Sequence, residues 1–270
     1  MLFFVGKNWR NTLNKDLIPD INNSKITKIF NFSEITINSL MEILKIYKNV
    51  YIIPMMETDM ILLDKYNIPY IGPDINNVKT FMCKKQFSIY AQNNSLEDYI
   101  PKTYNKLEDI DESEILILKP FNLCYGRGMK IINKEDILKD YFDDYIIQEY
   151  IRDNSEYVIH ILAKDGKIIE YISYQYKILD IDNSEIFIRT KEFSDKHNID
   201  LIKNTLSKDY LDIFEKFLLP CKYSGPCNFD YKLKNGQIKV LEINPRLGGS
   251  LMLQKNRKDL CFFINKLLDQ

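Results

Sequence analysis

Near the C-terminal end, Asp230, Glu242 and Asn244 supply two carboxylates and an amide, and Arg246 follows two positions later. The dipeptide Asn235-Gly236 stands between the acids, flanked by alternating apolar residues, and predicts a hairpin because both central residues of a type I′ turn need positive φ. Folded that way, Asp230 faces Glu242 and Asn244 across a ladder. The period of two puts Val240, Glu242 and Asn244 on one face of the second strand and Leu241 and Ile243 on the other. Carboxylates within a run rich in Ile, Leu and Val are costly unless compensated. A hard divalent cation compensates them, since Mg²⁺ takes one or two carboxylates and fills its shell with water and phosphate oxygens. A nucleotide is therefore expected. Arg246 and the following Gly248-Gly249-Ser250 offer a planar cation and open backbone N–H groups, both suited to phosphate. Taken alone, the hairpin is equally compatible with a solvated acidic surface.

The chain that must position these residues is 270 long, enough for one large domain or two to three lobes around a substantial core. Hydrophobic residues at 45% and charged residues at 28% describe a globular protein, neither disordered nor membrane-embedded. Lys plus Arg (37) nearly cancels Asp plus Glu (38), so there is no electrostatic footprint for nucleic acid. Cys83, Cys124, Cys221, Cys227 and Cys261 form no C-x₂-C pair, which argues against structural zinc and for reduced thiols and a cytoplasmic setting. With only His160 and His197, little room is left for triad chemistry. The apolar opening Met1–Val5 is too short for a signal-peptide core and reads as a strand.

From Leu2 to about Pro73 the pattern alternates strand and helix: Leu2–Val5, a short second strand at Lys28–Phe30, a helix capped by Ser33, Val50–Pro54, a helix with Met60 and Leu63, and a strand at Tyr70–Ile71. This implies a small parallel sheet without a G-x-G-x-x-G fingerprint. Gly72 to Thr103 reads as helical and includes Lys84 and Lys85, a pair that on its own fits a solvated face. Ile115–Pro120, a loop with Gly126, Arg127 and Gly128, and Met129–Ile132 form strand, glycine loop, strand. No Gly-Lys-Ser/Thr follows, so this is not a Walker loop, yet its backbone could close on phosphates. Asn133 caps a short helix through Tyr141. The strand Tyr145–Ile151 and a hairpin turning at Asp165-Gly166 then mark a change to antiparallel pairing near 145–156. A less regular stretch from Gln175 to Asn198 leads to a helix over Leu201–Leu219, the acidic hairpin and a closing helix over Lys258–Asp269.

With Gly225-Pro226-Cys227-Asn228-Phe229-Asp230 followed by Glu242-Ile243-Asn244-Pro245-Arg246-Leu247-Gly248-Gly249, the chain resembles the ATP-grasp superfamily over about residues 70–255, more narrowly its carbamoyl-phosphate-synthase-like carboxylate–amine ligase branch. The resemblance implies an α/β fold, α+β in its C-terminal part: a Rossmann-like lobe (1–75), a small lobe or lid (76–150) and a C-terminal lobe with the metal site (151–270). The two α+β lobes would sandwich the nucleotide.

It further implies ATP with Mg²⁺, two ions expected and Mn²⁺ able to substitute, held by Asp230, Glu242 and Asn244. Lys119 and Lys85, or its neighbour Lys84, would face phosphates beneath the loop of Gly126, Arg127 and Gly128. Gln148, Glu149, Tyr150 and Ile151 would read adenine, largely through the backbone of Glu149 and Ile151, and Glu156 would hold the ribose. Arg246 and Glu242 would be catalytic. The activity implied is joining a carboxylate to an amine through an acyl phosphate, with small-molecule substrates and a homodimer as a possible assembly. An ATP-grasp phosphotransferase and a non-catalytic ATP-binding subunit are the alternatives. Departures from the family pattern are Leu123-Cys124-Tyr125 in the glycine loop, a Lys-Lys pair where many members have Asp-Lys, and Asp230 where the nearest branch has Gln.

Overall fold

The computed structural model describes residues 2–5, 29–31, 37–48, 50–121, 127–138, 140–153, 155–179 and 198–269. Three sheets carry the chain. The first is parallel, in the order β2–β1–β3, from β1 (Leu2–Val5), β2 (Ile29–Asn31) and β3 (Tyr51–Pro54). Helices α1 (Ile37–Ile46) and α2 (Glu57–Lys65) flank β3 in sequence, and Leu40, Ile52, Leu63 and Ile68 bury a small core between them. Tyr70–Ile71 is not a strand, although the Ile71 N–H donates to the Ile52 carbonyl.

The helical stretch after Gly72 is two helices, α3 (Ile75–Met82) and α4 (Lys84–Asn93), broken at Cys83, whose extended backbone serves as cap for both. The Asp74 carboxylate accepts from the Asn76 N–H and starts α3. Phe81, Phe87 and Ala91 pack into the large C-terminal sheet, so these helices share its core.

The second sheet is antiparallel, in the order β4–β7–β5–β6: β4 (Thr103–Tyr104), β5 (Leu116–Pro120), β6 (Lys130–Ile132) and β7 (Tyr145–Glu149). Its core is separate and small, built on Tyr104, Leu116, Leu118, Ile137 and Ile147. The helix expected from Asn133 is a single 3₁₀ turn (Lys134–Asp136) followed by the short α5 (Tyr141–Asp144).

The third sheet, β10–β9–β8–β11–β12, holds the acidic hairpin: β8 (Ser155–Lys164), β9 (Lys167–Ile178), β10 (Ile199–Asn204), β11 (Gly225–Lys234) and β12 (Gln237–Asn244). The β11–β12 turn is as the sequence predicts, with Asn235 and Gly236 at φ 53° and 79°. The helix expected over Leu201–Leu219 begins later. Residues 199–204 pair with β9 as an edge strand, and α6 runs Lys208–Leu218. A paired edge satisfies backbone groups that an isolated first turn would leave to water.

One face of this sheet packs Phe214, Phe217 and Leu218 of α6 with Phe229, Tyr231, Val240 and Ile243. The other face carries α7 (Arg257–Leu268), whose Leu260, Phe263, Ile264 and Leu267 meet Val158, Leu162, Ile172 and Tyr174, along with Ile53 and Met55 of the N-terminal sheet's β3 side. Among the described residues no helix is long and apolar enough to cross a membrane.

Candidate active site

Asp230 sits where the β11–β12 ladder is irregular. It pairs with Glu242, whereas Tyr231 pairs with Val240, which leaves Leu241 as an inserted residue. The bulge shifts the phase of the strand, so Val240 joins Ile238 and Ile243 in the helix-covered core rather than sharing a face with the acids. Simple alternation cannot register an insertion, and the face expected for Val240 is wrong for that reason. Glu242 and Asn244 stay with Asp230: the Asn244 amide Nδ2 donates to Asp230 Oδ2 at 3.2 Å and to Glu242 Oε1 at 3.3 Å.

Cations reach these acids from elsewhere in the fold. Burial works to raise the Glu242 carboxyl, but the Lys84 charge, hydrogen bonds with Asp230 and Asn244, and the Lys119 charge outweigh it and hold the group below its ordinary range. Lys119 projects from β5 of the four-stranded sheet. Its burial pushes the amine down to about 8, opposed by Glu242 and reinforced by Lys84. Charged side chains of the two antiparallel sheets thus act on one another. Of the adjacent lysines, Lys84 acts on both Glu242 and Lys119, while Lys85 Nζ stands 5.3 Å from the Phe121 ring centre. Of the two, Lys84 is thus the one whose charge reaches Glu242 and Lys119.

Two carboxylates converging on one amide test the fit to a cation. The Asn244 nitrogen lies between them, and a half-turn of the amide puts Oδ1 there instead, giving three hard oxygen donors. Among the described residues no three His, Cys, Asp or Glu side chains gather anywhere, so a site here depends on further oxygens such as phosphates. Mg²⁺ fits that donor set.

Arg246 lies just beyond the end of β12. Its Nη2 donates to Asn244 Oδ1 and its Nη1 to the Leu247 carbonyl, both at 3.2 Å. Its Nε is 2.9 Å from Glu57 Oε1 but not aligned for a hydrogen bond, so the contact is an ion pair. Behind this loop Gly248 approaches so closely that a Cβ would clash with His160 Cε1. His160 is fully buried, with Nε2 2.7 Å from Ser250 Oγ; burial and the Arg246 charge push its pKa down to about 3.

The segment expected to read adenine connects the two antiparallel sheets. Glu149 takes the Lys102 N–H on Oε1 and pairs with Lys234 through Oε2. Lys232 Nζ donates to the carbonyls of Ile151 (3.3 Å) and Asp153 (2.9 Å) and lies 5.3 Å from the Tyr150 ring centre. Gln148 is buried and donates to Thr103 Oγ1, a bond internal to the sheet. Glu156 is buried at the start of β8, where its charge offsets the burial that lowers the Lys232 amine. Arg127 and Gly128 are exposed, with Gly128 at φ 70°; Gly126 lies outside the described residues.

Lys232, Glu57, His160 and Asn228 lie against the expected site residues or their loops, and the sequence does not single them out. The period of two from Asp230 reaches both Asn228 and Lys232, a usable signal. Glu57 and His160 carry none, because only tertiary packing brings them to Arg246 and Ser250.

A family model described as an ATP-grasp domain matches residues 89–250, more than half of the chain. The chain belongs to the ATP-grasp family. Among solved structures, this ATP-grasp chain is similar to a D-alanine–D-alanine ligase from Bacillus anthracis (19% identity, TM-score 0.63, covering 100% of this chain and 95% of that one). A biotin carboxylase from Campylobacter jejuni, solved as a β-γ-ATP complex, also matches (13% identity, TM-score 0.61, 98% of this chain and 70% of that one). These likenesses show the ATP-grasp fold. A D-alanine–D-alanine ligase from Campylobacter lari is 24% identical over 201 residues, 69% of this chain; the match spans 57% of that protein's length.

Proposed function

We propose that this ATP-grasp chain is an ADP-forming ligase that activates a carboxylate as an acyl phosphate and joins it to an amine. The observation that carries the reading is the meeting of Asp230, Glu242 and Asn244 on one sheet with Lys119 of the facing sheet and Lys84 at the start of α4. The names of the similar proteins, a D-alanine–D-alanine ligase and a biotin carboxylase, support the same class of chemistry.

Phosphoryl transfer is catalysed chiefly by positioning and charge neutralisation, so no protein nucleophile is required. In this reading Lys119 and Lys84 hold the phosphate chain, and the backbone between Glu149 and Ile151 receives adenine. Glu156 takes the ribose, and the loop of Gly126, Arg127 and Gly128 covers the phosphates. Mg²⁺ held by Asp230, Glu242 and Asn244 would neutralise charge on the β and γ oxygens. Arg246 would steady the transferred phosphoryl group. A substrate carboxylate oxygen attacks the γ phosphorus and ADP departs. The amine nitrogen then attacks the acyl carbon, phosphate leaves, and the amine loses a proton.

The test is phosphate release from ATP over a panel of paired carboxylates and amines. Release should require both partners and should fall at least a thousandfold in Glu242→Ala. A stable phosphorylated product formed without an amine would replace this reading with a phosphotransferase. Tight MgATP binding without turnover across the panel would replace it with a binding subunit.

A further inference from the structure

The ion pair between Arg246 and Glu57 joins distant parts of the chain: a loop at the C-terminal sheet and the first residue of α2, just after the parallel strand β3. Both side chains are nearly buried, 10% and 14% exposed. The adjacent contacts are equally tight. Leu247, next to Arg246, is packed with Ile53 and Met55, so the arginine loop and the carboxyl end of β3 share one apolar core. Gly225, which starts β11, is so close to the Gly72–Pro73 backbone that an added Cβ would lie 2.9 Å from the Gly72 carbonyl carbon. α2 and the Gly72–Pro73 segment are thus held against the sheet bearing the acids at two places.

The guanidinium has three anchors: the Leu247 carbonyl, Asn244 Oδ1 and Glu57. They differ in durability. If Asn244 turns its oxygen toward a cation, as the ligand set above requires, Arg246 loses that acceptor and finds an amide N–H₂ in its place. The Leu247 carbonyl is the arginine's own neighbour and fixes only one Nη. Glu57 is the charged anchor that remains, and it holds the Nε edge while Nη2 becomes available to an anion.

We propose that Glu57 is a positioning residue for nucleotide: from the N-terminal lobe it holds Arg246 in place for the terminal phosphate of ATP. The inference rests on the proposed role of Arg246 and adds a residue that neither the sequence motif nor the matched region 89–250 contains. It also gives the N-terminal lobe a part in phosphate recognition.

The experiment compares the affinities of MgATP and MgADP by calorimetry in the full chain, because only ATP carries the phosphate concerned and no acceptor substrate is needed. Variants are Glu57→Gln, Glu57→Asp, Arg246→Gln, the double variant Glu57→Gln/Arg246→Gln, and Asp64→Asn as a control for charge loss on an exposed part of α2. Glu57→Gln should lower the preference for MgATP over MgADP by about tenfold with MgADP affinity unchanged. Arg246→Gln should do the same, and the double variant should lose no more than Arg246→Gln alone. Glu57→Asp, which keeps the charge on a shorter arm, should fall between, and Asp64→Asn should match the parent.

A Glu57→Gln chain that keeps the parent's preference, even with a lowered melting temperature, overturns the proposal and makes the pair merely structural. If Glu57→Gln does not fold, Glu57→Asp decides by the same ratio. An Arg246→Gln chain with the parent's preference overturns both the arginine's role and Glu57's. Failure of the parent to bind either nucleotide removes the nucleotide reading itself, a result distinct from the other two.

Discussion

His160 shows how a single residue can be fixed by its surroundings. Its ring is completely buried beneath the Gly248–Ser250 loop, with Nε2 against Ser250 Oγ and Nδ1 without a partner. Burial, with the Arg246 charge, holds the folded-state pKa at about 3, below the ordinary 6.5. The folded protein keeps this histidine neutral while the unfolded chain binds a proton below pH 6.5, so acidification favours unfolding. From pH 7.5 to 5 this one group should cost about 2 kcal/mol of stability. Urea unfolding of the parent and of His160→Gln, which keeps a polar atom near the Nε2 position, measures the difference. The parent should lose about that much more than the variant over the same pH range. Equal losses would mean that the ring is protonated in the folded state.

At the level of elements, two glycines on and after the acidic hairpin separate backbone strain from crowding. Gly236 has φ 79° but nothing within 4 Å of where a Cβ would stand, so Gly236→Ala should cost about 1 kcal/mol through the turn alone and leave MgATP binding unchanged. At Gly248 a Cβ would press on His160 and on Asn228, whose Cγ lies at 2.8 Å. Both are buried, so the loop carrying Arg246 must shift. Gly248→Ala should cost about 1–3 kcal/mol and weaken MgATP binding as well. Thermal melts and calorimetry on the two variants check the contrast.

The same elements show what is legible in the sequence. The Asn235-Gly236 turn, the strands β3, β5 and β7, and the meeting of Asp230 with Glu242 and Asn244 follow from turn chemistry and alternation, which are local. The bulge at Leu241 is not legible, because an inserted residue leaves the composition of a strand unchanged. Nor is the edge strand at Ile199–Asn204, whose Leu201 and Ile202 fit a helix as readily until β9 supplies partners. That the Lys84 charge reaches Glu242 while Lys85 lies by Phe121 is not written in two identical side chains, and the Glu57–Arg246 pair depends on how α2 meets the arginine loop. Those are tertiary facts.

At the scale of the whole molecule, the four-stranded sheet, among the described residues, shares no apolar cluster with the five-stranded sheet beside it. Its core is small and separate from the two that flank the five-stranded sheet. Its connection runs through the segment at Glu149–Asp153, secured by Lys102, Lys232 and Lys234. Lys119 adds a charge facing Glu242, but burial weakens that amine's hold on its proton. A nucleotide with Mg²⁺ would supply the missing contacts by binding both sheets at once, and whatever binds the folded state stabilises it by mass action, about 2.7 kcal/mol at a hundred times Kd. The gain should be concentrated where local opening is easiest. Hydrogen exchange should therefore slow most in β5 and β7 on adding MgATP, with smaller change in β8 and β11, whose hydrogen bonds are already protected by two cores. ATP with a chelator should give little protection, because the acids then repel the phosphates, and Lys119→Ala should remove most of it by cutting the link from β5. Protection confined to the five-stranded sheet would show that the nucleotide does not bridge the two, and that the facing of Lys119 and Glu242 is an electrostatic contact of the fold alone.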